Sequence, residues 1–149
     1  MSVDRSHVAL NDAERARLQA LVKRLTDADL GRAMPAGWTV AAILAHVAFW
    51  DQRALVLLEQ WEAQGTTPPP NNDADVDWIN DAAKPMFLAL PPRRAAELAL
   101  AIAETTDRKV ASLSDDFVRR NAEAGTPVSL DRANHRRMHL DEIERALKA

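Results

Sequence analysis

The stretch from Thr39 to Gln64, TVAAILAHVAFWDQRALVLLEQWEAQ, decides the fold of this chain. Its apolar residues recur three or four positions apart, which is the period of a helix packed along much of its length. Thr39 suits the N-cap of such a helix. The stretch therefore predicts a long buried helix, whose apolar side carries Val40, Ile43, Leu44, Val47, Trp50, Ala54, Leu57, Leu58 and Trp61.

Helical spacing continues on both sides of this stretch. Ala, Leu, Arg and Glu are abundant, and these residues lose little free energy in a helix. Four principal helices and one shorter piece account for the pattern, and a long connection separates the second principal helix from the next. We therefore predict an all-α four-helix bundle with a crossover connection. The predicted helices cover about residues 12–26, 39–64, 92–114 and 129–148, and the shorter piece covers 74–89.

Local signals mark several of the predicted helix ends. Asn11 with Glu14 three residues later fits a capping box for the first helix. Ser129 suits the N-cap of the last helix, after a loop around residues 125–127. Pro85 cannot donate a hydrogen bond to the carbonyl four residues back, so we expect the 74–89 piece to be kinked or broken there.

Length and composition limit the possible classes of protein. The 149 residues are 47% hydrophobic and 28% charged, which suits one folded domain. We expect residues 1–10 to form a flexible N-terminus and residues 11–149 to form a single domain. The net charge of −3 argues against nucleic acid or an anionic membrane as a partner. Because residues 1–10 lack the apolar block of a signal peptide, we expect a cytoplasmic protein.

Histidines provide the main candidate for chemistry. There is no cysteine, so a transition-metal site must use His, Asp or Glu. His135 and His139 are four residues apart, which places both imidazoles on one side of the last predicted helix. His46 lies at the edge of the apolar stripe of the long helix and could supply a third ligand. Two surface histidines and one satisfied core histidine remain the alternative interpretation.

Other polar groups could support or extend this site. Asp131 and Glu142 lie on the same stripe as the histidine pair, and either could accept the second ring N–H of a ligand. No Glu follows His135 directly, so the metalloprotease pattern H-E-x-x-H is absent. His7 lies before the first predicted helix and is excluded from the site.

The remaining aromatic and basic residues have simpler interpretations. Aromatic side chains at helical spacing are usually core residues, and we assign that role to Phe49, Trp50, Trp61, Trp78 and Phe87. Two short arginine pairs, 93–94 and 136–137, are expected on a solvated face, with a clamp for an anionic substrate as the alternative.

A family resemblance joins these observations. The segment Gly37-Trp38-Thr39-Val40, the continuation through His46 to Asp51, and the closing His135-Arg136-Arg137-Met138-His139 resemble the DinB/YfiT-like superfamily. The chain is similar in particular to the branch that contains the N-terminal domain of mycothiol-dependent maleylpyruvate isomerase. The resemblance implies a four-helix bundle with zinc or nickel bound by His46, His135 and His139. It also implies that Trp38 is a structural anchor.

The resemblance implies a class of reaction as well. Known chemistry in this superfamily is largely thiol-dependent, so we expect a thiol S-transferase, or a related isomerase or hydrolase, that acts on a small electrophile. A low-molecular-weight thiol would be the co-substrate. Three imidazoles leave a coordination position open for water or a thiol, whose pKa the ion would lower. The isomerase carries a further C-terminal domain for which this chain has no room, which argues against that specific isomerisation.

A non-catalytic role is the alternative. Phe49 and Leu55 extend the apolar surface of the long helix beyond its main stripe, and such a helix needs more partners than a small bundle offers. The chain would then be a stress-associated helical bundle that forms a homodimer through an apolar helix face.

Overall fold

Seven α-helices and one short hairpin make up the part of the chain that the computed structural model describes, residues 2–70 and 72–149. The hairpin pairs Ala33 with Thr39 and Met34 with Trp38 around a 3-10 turn at Pro35–Gly37. In chain order the elements are α1 (Ser6–Arg24), α2 (Asp27–Leu30), β1 (Ala33–Met34), β2 (Trp38–Thr39), α3 (Val40–Gln64), α4 (Asp73–Ala89), α5 (Pro92–Ser112), α6 (Asp115–Glu123) and α7 (Ala133–Lys148).

Four long helices, α1, α3, α5 and α7, form the bundle. Helices α5 and α7 each pack against both α1 and α3, so α1 and α3 lie diagonally opposite each other. Helix α4 belongs to the long connection between α3 and α5 and packs on the outside of α3 and against β2. The all-α fold predicted from the sequence is confirmed.

Helix α3 forms the centre of the core. The Oγ1 of Thr39 accepts a hydrogen bond from the backbone N–H of Ala42 at 3.0 Å, as the sequence predicts for an N-cap. By length and composition α3 could cross a membrane, but 72% of its most apolar window is buried by the rest of the chain. Of the two residues that suggested a dimer interface, the chain itself buries Leu55 and partly buries Phe49. Helix α3 therefore has the burial of a core helix.

The start of α1 differs from the sequence prediction. The helix begins at Ser6, so residues 6–10 are helical and His7 lies inside α1. Asn11 is buried in this helix and does not cap it. Its Oδ1 instead accepts hydrogen bonds from the backbone N–H groups of Arg132 and Ala133, at 2.8 and 3.0 Å, and its Nδ2 donates to Leu130 O at 2.9 Å. Asn11 thus caps the start of α7 from a neighbouring helix.

Substituting Asn11 with alanine should lower the free energy of unfolding by about 2–3 kcal/mol, because three buried backbone groups lose their partner. Urea denaturation measures the change. Asn72→Ala is the matched control, since Asn72 caps α4 at an exposed position through Asp75 N–H. We expect the control to cost about 1 kcal/mol or less. Equal losses in the two variants would contradict the role assigned to Asn11.

The structure differs from the sequence prediction in further places, and at Pro85 it excludes a break. Helix α4 continues through Pro85 without a break. Residues 115–123 form helix α6, which was not predicted, and α7 begins at Ala133 instead of near Ser129. Trp78 is 60% exposed and is not a core residue. Pro85 and Asp81 both lie on the exposed side of α4, so water can reach the carbonyl that the proline leaves without a donor.

Candidate metal site

Three imidazole rings meet between α3 and α7. The Nε2 of His135 lies 3.1 Å from the Nε2 of His46 and 3.2 Å from the Nε2 of His139. One ligand atom from each ring lies within 4.8 Å of the others. The structure therefore brings together the three residues that the sequence singled out.

Helix geometry explains this convergence. His135 and His139 are one turn apart on α7, so their rings lie on one side of the helix, where they meet at right angles. His46 is a buried position of α3, and α3 packs directly against α7. Trp38 makes a T-shaped contact with His46, with 5.7 Å between ring centroids, and Phe87 of α4 makes a T-shaped contact with the same imidazole. These aromatic contacts restrict the orientation of the His46 ring.

Glu142 sets the tautomer of one ligand. Its Oε2 lies 3.1 Å from the Nδ1 of His139, so the carboxylate accepts a proton held on Nδ1 and leaves the Nε2 lone pair facing the other rings. The structure gives Asp131 a different role from the predicted one. Its Oδ1 accepts from the backbone N–H of Asn134, and the Nδ1 of His135 has no hydrogen-bond partner among residues 2–70 and 72–149.

The donor set fits a divalent cation. Nitrogen ligands 2.0–2.1 Å from an ion are about 3.3–3.4 Å apart at tetrahedral angles and about 2.9 Å apart at right angles, and the two separations from His135 Nε2, 3.1 and 3.2 Å, lie between these values. All three ligand atoms lie within 4.8 Å of one another. The single proton that His135 Nε2 could carry cannot point at both neighbouring nitrogens. The lone pairs of three closely spaced nitrogens repel one another, and a cation bound to all three would remove this repulsion. The three imidazoles are thus suited to hold a metal ion.

All three imidazoles are kept neutral. Burial lowers the pKa of His46 to about 4 and the pKa of His135 to about 3, and the nearby guanidinium groups of Arg132 and Arg136 add to the effect at His135. Burial also lowers the pKa of His139, although the Glu142 carboxylate opposes this effect. A metal binds the neutral form of imidazole, so protons do not compete for these nitrogens near pH 7.

Two cavities border the histidine cluster. The larger, of about 590 Å³, has a size typical of small-molecule sites. The smaller, of about 210 Å³, is also lined by Trp38 and Glu142. His46, His139 and Asn80 line both cavities. The walls of the larger cavity combine apolar and polar side chains, among them Trp50, Val76, Met138, Asn80, Arg132 and Asn134.

A network of buried ion pairs, which was not predicted from the sequence, lies next to the site. Arg136 was expected on a solvated face, but it is fully buried. Its Nε donates to Asp51 Oδ2 at 3.0 Å, and its two terminal nitrogens donate to Asp107 at 2.8 Å. Asp51 Oδ1 also accepts from Arg132 Nε at 2.9 Å, and Arg15 of α1 reaches Asp107. The network ties α7 to α3, α5 and α1.

One sequence signal could have revealed this network. Asp51 lies on the apolar stripe of α3, between Val47 and Ala54, where an unpaired carboxylate would be costly. Asp107 likewise lies on the buried side of α5 beside Thr106 and Val110. Carboxylates on the buried sides of α3 and α5 predict that positively charged side chains are buried against them. Arg132 and Arg136, at the start of α7, are such side chains.

Removing Glu142 should weaken metal binding without removing a ligand. We expect Glu142→Ala to lower the affinity for Zn²⁺ by about 10- to 100-fold, because His139 loses the partner that fixes its tautomer and orientation. Titration against a chromophoric chelator measures the affinity. Glu144→Ala is the matched control, since Glu144 lies on the same helix but pairs with Arg17 and Arg24. An equal loss in the control would refute the role of Glu142.

Fold and site together define the class of protein. It is a helical bundle in which α3 and α7 bring together three imidazoles that could bind one metal ion. A family model described as the DinB superfamily matches residues 10–143, which is most of the chain. The chain belongs to the DinB superfamily. No curated protein and no solved structure matches the chain.

Proposed function

We propose that the protein is a metal-dependent enzyme in which His46, His135 and His139 hold one divalent cation, Zn²⁺ or Ni²⁺. The observation that carries the proposal is the convergence of three neutral Nε2 atoms beside a cavity of about 590 Å³. Three protein ligands leave a coordination position for a substrate, as in catalytic zinc sites, whereas structural sites use four. The adjoining cavity gives that position access to small molecules.

The proposed reaction is the transfer of a low-molecular-weight thiol to a small electrophile, or a related isomerisation or hydrolysis. The cation would supply Lewis acidity, which favours the ionised form of a thiol near neutral pH. Glu142 keeps His139 oriented for coordination. Trp50, Val76 and Met138 offer apolar surface for the body of the electrophile. The thiol loses its proton to solvent, its sulfur forms the new bond to the electrophilic carbon, and the bond from that carbon to a leaving group, such as the bromide of a bromomethyl compound, breaks so that the leaving group departs with the electron pair.

Metal analysis and a transfer assay test the two parts of this proposal. Protein prepared without a His tag and dialysed against Zn²⁺ or Ni²⁺ should retain one ion per chain. The double variant His135→Asn/His139→Asn should retain none. The loaded protein should then accelerate the reaction of cysteine or another small thiol with monobromobimane, and the double variant should not. Absence of metal in the wild type would refute the site, and bound metal without acceleration of any thiol would refute the transferase.

A further inference from the structure

We propose that Asn80 is a specificity-determining residue, whose side-chain Nδ2 donates a hydrogen bond to an oxygen of the small molecule bound beside the metal. The inference rests on the proposed function, because it takes the three histidines as the metal site. The ligand class that it selects is a small molecule with a carboxylate, carbonyl or hydroxamate oxygen.

The orientation of the Asn80 amide is fixed by Trp50. The indole Nε1–H of Trp50 donates to Asn80 Oδ1 at 2.8 Å. An indole nitrogen can only donate, so the atom that faces it must be the amide oxygen. The Nδ2 group therefore points away from Trp50, with its two hydrogens available to another acceptor.

The position of Asn80 places this donor at the site. Asn80 lies in the middle of α4, on the wall that this helix contributes to the larger cavity. It shares the lining of both cavities with His46 and His139. A molecule bound in either cavity beside the histidines therefore shares that cavity with the Asn80 side chain.

No protein acceptor competes for this donor. Within residues 2–70 and 72–149, the contacts of Asn80 include the bond from Trp50 to Oδ1 and none from Nδ2. Arg132, a charged donor on the cavity wall, instead directs its Nε to Asp51 and a terminal nitrogen to Ser129 O. The Nδ2 group of Asn80 is thus a neutral donor that can form a hydrogen bond to an oxygen of a bound molecule.

Two probes of a Co²⁺-loaded protein test the inference. Acetohydroxamate presents oxygen acceptors, whereas imidazole presents a nitrogen ligand and an N–H but no oxygen. The dissociation constant of each is measured from the visible absorption bands of the bound Co²⁺. We expect Asn80→Leu to weaken acetohydroxamate binding about tenfold, the effect of one lost hydrogen bond, and to change imidazole binding by less than about twofold.

Two further variants separate the donor from the shape of the pocket. Asn80→Asp keeps an acceptor for Trp50 and loses the donor, so it should weaken acetohydroxamate at least as much as Asn80→Leu. Asp81→Leu is the matched control, because Asp81 is the next residue of α4, is exposed and lines neither of the two cavities. We expect the control to shift acetohydroxamate binding by less than about threefold.

The outcomes test the metal site and the role of Asn80 separately. A wild-type chain that binds none of Co²⁺, Zn²⁺ and Ni²⁺ refutes the proposed function. A wild-type chain that binds Co²⁺, together with an Asn80→Leu variant that binds acetohydroxamate normally or weakens both probes equally, refutes the assignment of Asn80 alone. Selective weakening of acetohydroxamate in both Asn80 variants supports it.

Discussion

Replacing His135 with alanine should lower the affinity for Zn²⁺ by about a hundredfold or more, which exceeds the usual effect of losing a residue that only orients a ligand. His135 is the central residue of the proposed metal site, since its Nε2 lies 3.1 and 3.2 Å from the other two Nε2 atoms. Without it, His46 and His139 remain on different helices with no nitrogen between them. Competition with a chelator of known affinity measures the change.

The matched control for this experiment is His7→Ala. His7 is another half-buried histidine, but it lies at the start of α1 and lines a different cavity. We expect the control to bind Zn²⁺ like the wild type. Undiminished affinity in His135→Ala, or equal losses in both variants, would contradict the assignment of the site.

The second large effect concerns stability. Asp51→Asn should lower the free energy of unfolding by about 3–5 kcal/mol, because Arg132 and Arg136 would keep their buried charges without the shared carboxylate. Urea denaturation followed by circular dichroism measures the loss. The same variant should also weaken Zn²⁺ binding, since Asp51 joins the helix of His46 to the helix of His135.

An exposed acidic residue provides the comparison. Glu104 pairs with Arg108 one turn along α5, and both side chains are mostly exposed. Glu104→Gln should cost less than about 0.5 kcal/mol, because water screens such a pair. If Asp51→Asn cost no more than Glu104→Gln, the buried network would not hold the bundle together.

The sequence predicted the structure best where the environment of a residue depends on residues nearby in the chain. The periodicity of residues 39–64 identified α3 and its buried face, because a helix repeats its contacts every turn. The spacing of His135 and His139 placed their rings together for the same reason. His46 was harder, since His135 lies 89 residues away. Its place at the edge of the apolar stripe made it a candidate, and the family resemblance then joined it to the pair on the last helix.

The predictions for Asn11 and Arg136 were wrong because the partners of both side chains lie far away in the sequence. Asn11 and Glu14 form the pattern of a local cap, but Asn11 caps α7, and local spacing cannot distinguish these two uses. Arg136 looks like a surface residue beside Arg137, because its carboxylate partners belong to α3 and α5. Helix α6 escaped notice because it buries only Phe117, Val118 and Asn121, too few for a clear period.

The wide separation of the ligands along the chain has a thermodynamic consequence. His46 and His135 are distant in sequence, so the unfolded chain holds no preformed site and binds a cation far more weakly than the native bundle. By mass action, a free ion at a thousand times its dissociation constant adds about 4 kcal/mol to the free energy of unfolding. The melting temperature would therefore rise with metal concentration, and metal supply would set how much of the chain stays folded.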